Sequence, residues 1–283
     1  MSLCFFCTDL HGYTDRYEKL LNRIREQSPD LVLLGGDLLP HGFAIKEGLD
    51  DFYQDFLLPS FLRLRDEMGS NYPSICIILG NDDARINEKD FLQAEQTGVW
   101  HYIHQKKFTF GEYTLLGYAY VPPTPFRLKD WERYDVSRYV DPGCIHPLEG
   151  MFSVPPPERD IEYQTIEKDL QTLTTEIDPD KMIVLFHSPP HKTHLDRAAL
   201  DGMKIDHIPL DVHVGSIAIK RFIEETQPLM TLHGHIHESS RITGHWYEYI
   251  GNTLAVNGSW DGTELSLISF DPDQPGKIRR ELI

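Results

Sequence analysis

Short apolar runs punctuate this chain, and each ends at an acid, an amide or a histidine, most of them beside a glycine. Residues 3–8 form the first run, unbroken as in a strand buried on both faces, and it stops at Asp9-Leu10-His11-Gly12. Tyr13, Tyr17, Leu20, Leu21 and Ile24 then recur at spacings of three and four, which places them on one face of a helix. Pro29 opens a second run over 30–34, broken at Gly35-Gly36-Asp37. Strand, helix and strand in this order predict a parallel β-α-β unit.

The same reading continues along the chain. Residues 50–68 predict a helix interrupted at Pro59, 74–79 a third buried strand ending at Gly80-Asn81-Asp82-Asp83, and 87–96 a helix. Residues 107–110 and 113–120 predict a hairpin, 160–177 a helix, and 181–186 a strand ending at His187-Ser188-Pro189-Pro190. Ser216 caps a helix with Ile219, Phe222 and Ile223 inward, and Pro228 stops it. The next run opens into Leu232-His233-Gly234-His235-Ile236-His237. Segments 246–251, 253–257, 264–270 and 277–282 predict antiparallel strands.

Between 121 and 159 the periodicity vanishes. Eight prolines stand there among aromatics, Phe126, Trp131, Tyr134, Tyr139 and Phe152. So long an aperiodic stretch is functional or disordered, and its aromatics argue for order. It is read as an insertion packed on a single domain spanning 1–283. Its aromatics would form one wall of a substrate cleft and could stack on a nucleotide base.

Composition narrows the setting. With 40% hydrophobic residues the chain can build a sizeable core, and no apolar run approaches a membrane span. The N-terminal stretch has no basic flank and reads as a core strand rather than a signal peptide. Four cysteines make no disulfide framework, and Cys4 and Cys7 are expected to be buried thiols. These features point to the cytoplasm, where the sequon at Asn257 carries no meaning. The net charge of −17 disfavours nucleic-acid partners, and with them a nuclease. The oligomeric state is left open.

Strand ends therefore carry Asp9 and His11, Asp37, Asn81, His187, and His235 with His237. The C-terminal ends of parallel strands share one edge of a sheet, so these groups can converge. Mixed imidazole and carboxylate ligands suit Mn, Fe or Zn. A carboxylate such as Asp37 can bridge two cations, and two metals about 3.5–4 Å apart can share a hydroxide and clamp a phosphoryl group.

The order Asp-x-His, Gly-Asp, Gly-Asn-x, His, Gly-His-x-His resembles the calcineurin-like metallophosphoesterase superfamily. Phe186-His187-Ser188-Pro189-Pro190, Gly215-Ser216 and Asn257-Gly258 add a resemblance to a microbial branch similar to cyclic-nucleotide phosphodiesterase relatives. The resemblance implies an α/β (α+β) fold, a four-layer double β-sandwich flanked by helices. It implies two divalent transition metal ions, the first on Asp9, His11 and His237, the second on Asn81, His187 and His235, with Asp37 bridging. His233 matches no family role and is given a structural place.

The family's Gly-Asn-His, whose histidine stabilises phosphate or protonates the leaving group, is here Gly80-Asn81-Asp82. Asp82 is expected to act as the acid if burial or Asp83 raises its pKa, with His191, His194 and His41 as alternatives. His41, Asp83 and Asp196 are expected to face the substrate. The function implied is hydrolysis of a small phosphate mono- or diester by a metal-bridging hydroxide. A non-catalytic scaffold and a protein phosphatase are the competing readings.

Overall fold

The computed structural model describes residues 2–40 and 51–283. Two six-stranded mixed sheets, flanked by helices, enclose one continuous hydrophobic core.

The first sheet grows from β1 (Cys4–Cys7), which is wholly buried. The chain leaves it through α1 (Thr14–Gln27), whose buried face is Tyr17, Leu20, Leu21 and Ile24, and returns as β2 (Leu31–Gly35). α2 (Leu58–Met68), β3 (Ser74–Ile78), α3 (Glu88–Glu95) and β4 (His101–Tyr102) repeat the pattern. β1 to β4 are parallel neighbours in that order.

The hairpin β5 (Lys107–Phe110) and β6 (Tyr113–Tyr118) starts the second sheet. After the insertion come α4 (Glu158–Tyr163), α5 (Ile166–Leu173), β7 (Met182–Phe186) and a small exposed hairpin, β8 (Lys204–Ile205) with β9 (Ile208–Pro209). α6 (Ile217–Thr226), β10 (Met230–His233), α7 (Ser239–Thr243), β11 (Tyr247–Ile250) and β12 (Thr253–Asn257) follow. The order in this sheet is β11-β12-β10-β7-β6-β5, with β6, β7, β10 and β12 mutually parallel. β13 (Ser266–Phe270) and β14 (Arg279–Leu282) return to the outer edge of the first sheet, β13 antiparallel to β1 and β14 antiparallel to β13.

Three expectations are corrected. Pro59 does not interrupt its helix. It lies in the first turn of α2, where its missing N–H is tolerated, and a π-turn over Tyr53–Leu57 leads directly into it. The helix expected over 160–177 is two helices, because Gln164 turns extended and Ile166 N–H donates to the Tyr134 carbonyl at 2.8 Å. The insertion thus breaks the helix by pairing with it. Finally, β12 is antiparallel to β11 but parallel to β10, so that a further strand end joins the ligand edge.

The insertion packs inward. Trp131 and Tyr134 are buried, and so are Lys129 and Glu132, which pair with each other. Cys4, Cys7 and Cys76 are buried free thiols. Among the described residues, no helix is long and apolar enough to cross a membrane.

Candidate metal centre

The loops beyond β1, β2, β3, β7 and β10 meet at one edge. They are laced together before any side chain is considered. Asp9 N–H donates to the Gly36 carbonyl at 2.9 Å, His11 N–H to Asp37 at 2.8 Å, and Gly234 N–H to His187 at 2.9 Å. Four candidate ligands, Asp9, His11, Asp37 and His235, have positive φ of 57°, 46°, 51° and 72°. Non-glycine residues reach this region at a cost that surrounding structure must hold, and such strain gathers at functional sites. Close approach also requires Gly80, where a Cβ would lie 2.2 Å from Asp37 Oδ1 and 2.7 Å from the His187 ring.

The side chains converge in overlapping groups. Asp9, His11 and His237 have ligand atoms within 4.8 Å of one another; so do Asp37, His187 and His235, and so do His11, Asp37 and Asp82. His237 Nε2 lies 3.2 Å from Asp9 Oδ1 and 3.2 Å from His11 Nε2. His187 Nε2 lies 3.2 Å from Asp37 Oδ2 and 3.0 Å from Asn81 Oδ1. His11 Nε2 lies 3.9 Å from Asp37 Oδ2, so Asp37 stands between the two sides.

The donor set fits cations. His187 Nδ1 faces the Gly35 carbonyl at 2.8 Å, an acceptor that fixes the ring proton there. A neutral His187 then turns a bare Nε2 toward two acceptor oxygens, which leaves three lone-pair groups around one point. A cation would satisfy them together. Without a metal a proton takes that role: burial pushes the His187 pKa down, but Asp37 and Asp9 outweigh it and raise it to about 10. The carboxylates are primed in the same way. Burial pushes Asp9 and Asp37 up, yet the histidines hold Asp9 far below the carboxylate range and Asp37 at about 2. Burial keeps His235 neutral, at about 3.

Supports around the ligands were not foreseen from the sequence. Ser259 Oγ donates to Asp9 Oδ2 at 2.6 Å, and the Arg16 guanidinium holds the Asp9 carbonyl at 2.9 Å. Asn257 Nδ2 reaches the carbonyls of Leu195 and Ile236, and its Oδ1 accepts from Ser259 N–H. The available signal was position: Asn257-Gly258-Ser259 is one more strand end with polar groups. His233 is buried in the core beside the centre, its ring stacked on Phe186 with nitrogens on the Ser188 carbonyl and Thr231 Oγ1.

The other predicted site residues divide. Asp82 adjoins the ligands, with Oδ2 3.7 Å from His11 Nδ1. Asp83, expected at the substrate, is instead fully buried. Its carboxylate accepts from the N–H groups of Leu38, Leu39 and Gly80, tying the Asp37 loop to the Asn81 loop. Asp196 is likewise buried; it accepts from Lys192, Thr193 and Gly215 N–H and from His213. Both are short acids whose oxygens are consumed by turning backbone, an arrangement that leaves them no face for substrate. His191 lies against Asp196 and His213, and His194 lies at the surface against Glu248 and His245. His41 lies outside the described residues.

The family model of the calcineurin-like phosphoesterases matches residues 4–239, and the chain belongs to that family. The family is one of phosphoester hydrolases that use divalent metal ions. One crystal structure is similar at a TM-score of 0.61 with 18% identity, over 99% of this chain and 98% of that one. The crystal structure of the protein TT1561 of Thermus thermophilus is similar at 0.58 with 15% identity, again over 99% and 98%. These likenesses show the shared two-sheet fold. No curated protein sequence matches the chain significantly.

Proposed function

We propose that the chain hydrolyses a small phosphate mono- or diester at a dinuclear centre. Asp9, His11 and His237 would hold one divalent cation, Asn81, His187 and His235 the other, and Asp37 would serve both. The observation that carries this reading is Asp37: its Oδ2 faces His187 on one side and His11 on the other. Bound divalent cations lower the pKa of water and offset the negative charge of the ester.

The chain's own residues prepare the place. The neighbouring histidines keep the Asp9 and Asp37 carboxylates ionised, burial keeps His235 neutral, and the Gly35 carbonyl and Ser259 fix the orientation of His187 and Asp9. A scaffold without catalysis would tolerate loss of ligands, whereas every ligand position here holds a competent group.

The test is reconstitution with Mn, Fe or Zn followed by a panel of monoesters and of cyclic and linear diesters. Two equivalents of bound metal and turnover of at least one ester class are expected. Metal uptake without turnover of any ester would favour the scaffold.

A further inference from the structure

Asp82 faces three members of the ligand set, Asn81, Asp37 and His11. Its backbone N–H donates to Asp37 Oδ1 at 2.8 Å, its Oδ1 accepts from Asn81 Nδ2 at 3.2 Å, and its Oδ2 lies 3.7 Å from His11 Nδ1. Asn81 belongs to the His187 side of the centre and His11 to the Asp9 side, with Asp37 between them. We infer that Asp82 is a positioning residue, a carboxylate that orients one ligand on each side of the centre, and not the acid of the leaving group. This rests on the dinuclear reading given above.

Donor and acceptor directions fix this role. An amide has a carbonyl end and an NH2 end of nearly equal shape, and a carboxylate can hold only the NH2 end. Asp82 therefore turns Asn81 so that Oδ1 points at His187 Nε2, where a cation is wanted. An imidazole at position 82 offers one donor and one acceptor, so it would not enforce that choice. At His11 the effect is on the tautomer. A carboxylate 3.7 Å from Nδ1 is at ion-pair rather than hydrogen-bond distance, but its field still favours the proton on Nδ1. That leaves the Nε2 lone pair facing His237 and Asp37. Metal-binding histidines commonly take such a carboxylate partner.

Both oxygens of Asp82 thus face N–H-bearing groups of the ligand set. The departure from Gly-Asn-His moves this position from the substrate to the ligands. Asp82, together with His11 and Asp37, also forms one of the three groups able to surround a cation among the described residues.

The test compares D82N and D82A with the full-length wild type, using Mn2+ as the probe. Affinity is read by calorimetry, turnover as a function of Mn2+ concentration, and the fold by melting of the metal-free proteins. Mn2+ affinity should weaken about 10–100-fold, more in D82A than in D82N, while turnover at saturating Mn2+ stays within about fivefold. Unchanged affinity with turnover down about 10²–10⁴-fold is the signature of an acid and would overturn the inference. Unchanged affinity and unchanged turnover would overturn it as well. The melting temperature separates misfolding from misplacement, and if one variant fails to fold the other decides. A wild type that binds Mn2+ yet cleaves no ester sinks the phosphoesterase reading alone, since the affinity comparison still judges Asp82. A wild type that binds no Mn2+ sinks both.

Discussion

His187 is fixed at both ends of its ring, with Nδ1 2.8 Å from the Gly35 carbonyl and Nε2 3.2 Å from Asp37 Oδ2. One partner is the last residue of β2 and the other lies two residues beyond it. A single loop thus sets both the tautomer of the histidine and the charge it faces.

Asp37→Asn keeps the shape of that loop and removes the charge that both sides share. The metal content should fall, and kcat/KM should drop by at least about 10²–10³-fold, the scale seen when one preorganised electrostatic group is lost. Elemental analysis after dialysis and steady-state kinetics check the two effects separately.

Ser259→Ala removes the donor that occupies Asp9 Oδ2. Metal affinity on the Asp9 side should weaken about 10–100-fold while the fold is retained. Calorimetric titration should then show two classes of site in place of closely matched ones. If the titration matches that of the wild type, the serine has no part in orienting Asp9.

Removal of metal should lower stability. Cations at 1,000 times their Kd stabilise the folded form by about 4 kcal/mol. Relief of the repulsion among Asp9, Asp37 and Asp82 is contained in that figure. Differential scanning calorimetry with and without a chelator should show a higher melting temperature for the loaded protein.

His104 makes stability depend on pH. Its Nδ1 accepts from Ala119 N–H at 3.0 Å, and burial, with Arg85, Arg133 and Lys106 adding to it, pushes its pKa well below the usual histidine value. The unfolded chain protonates this residue below about pH 6.5, and the folded chain does not. The stability tied to it is therefore complete above about 6.5 and is lost as pH falls, by up to about 1.4 kcal/mol per pH unit. His104→Asn should flatten that acid slope in urea titrations between pH 7 and 5; an unaltered slope would exclude His104 as its source.

Lys129 and Glu132 are paired with no exposed side-chain surface, and Thr124 serves both. Lys129→Met leaves a carboxylate buried alone and should cost about 3–5 kcal/mol. The double variant K129M/E132Q should recover more than half of that, because the amide keeps the Thr124 contacts without the charge. Urea denaturation of the wild type, the single variant and the double variant measures both steps.

Much of the ligand edge could be read from the chain because strand ends are local events. An apolar run followed by Asp9, Asp37, Asn81 or His187 says where a buried strand opens, whatever surrounds it. The supporting contacts are non-local. Ser259 meets Asp9 across 250 residues of chain, and nothing in the residues around either one announces the other. The same limit explains Asp83 and Asp196. A short acid beside a ligand has the same sequence signature whether its oxygens face substrate or turning backbone. The break between α4 and α5 was hidden for a related reason, since it is made by Tyr134 from the insertion.

The indole of Trp131 donates to the Asp83 carbonyl at 2.7 Å, and its neighbour Asp130 accepts from Arg85 N–H at 2.7 Å. The Pro-rich stretch therefore grips the very turn that carries Asn81. Divergence at 130–131 would be paid for in cation retention, whichever ester was being selected. A lineage drifting toward new substrates has freer ground at 136–146, at a remove from that grip.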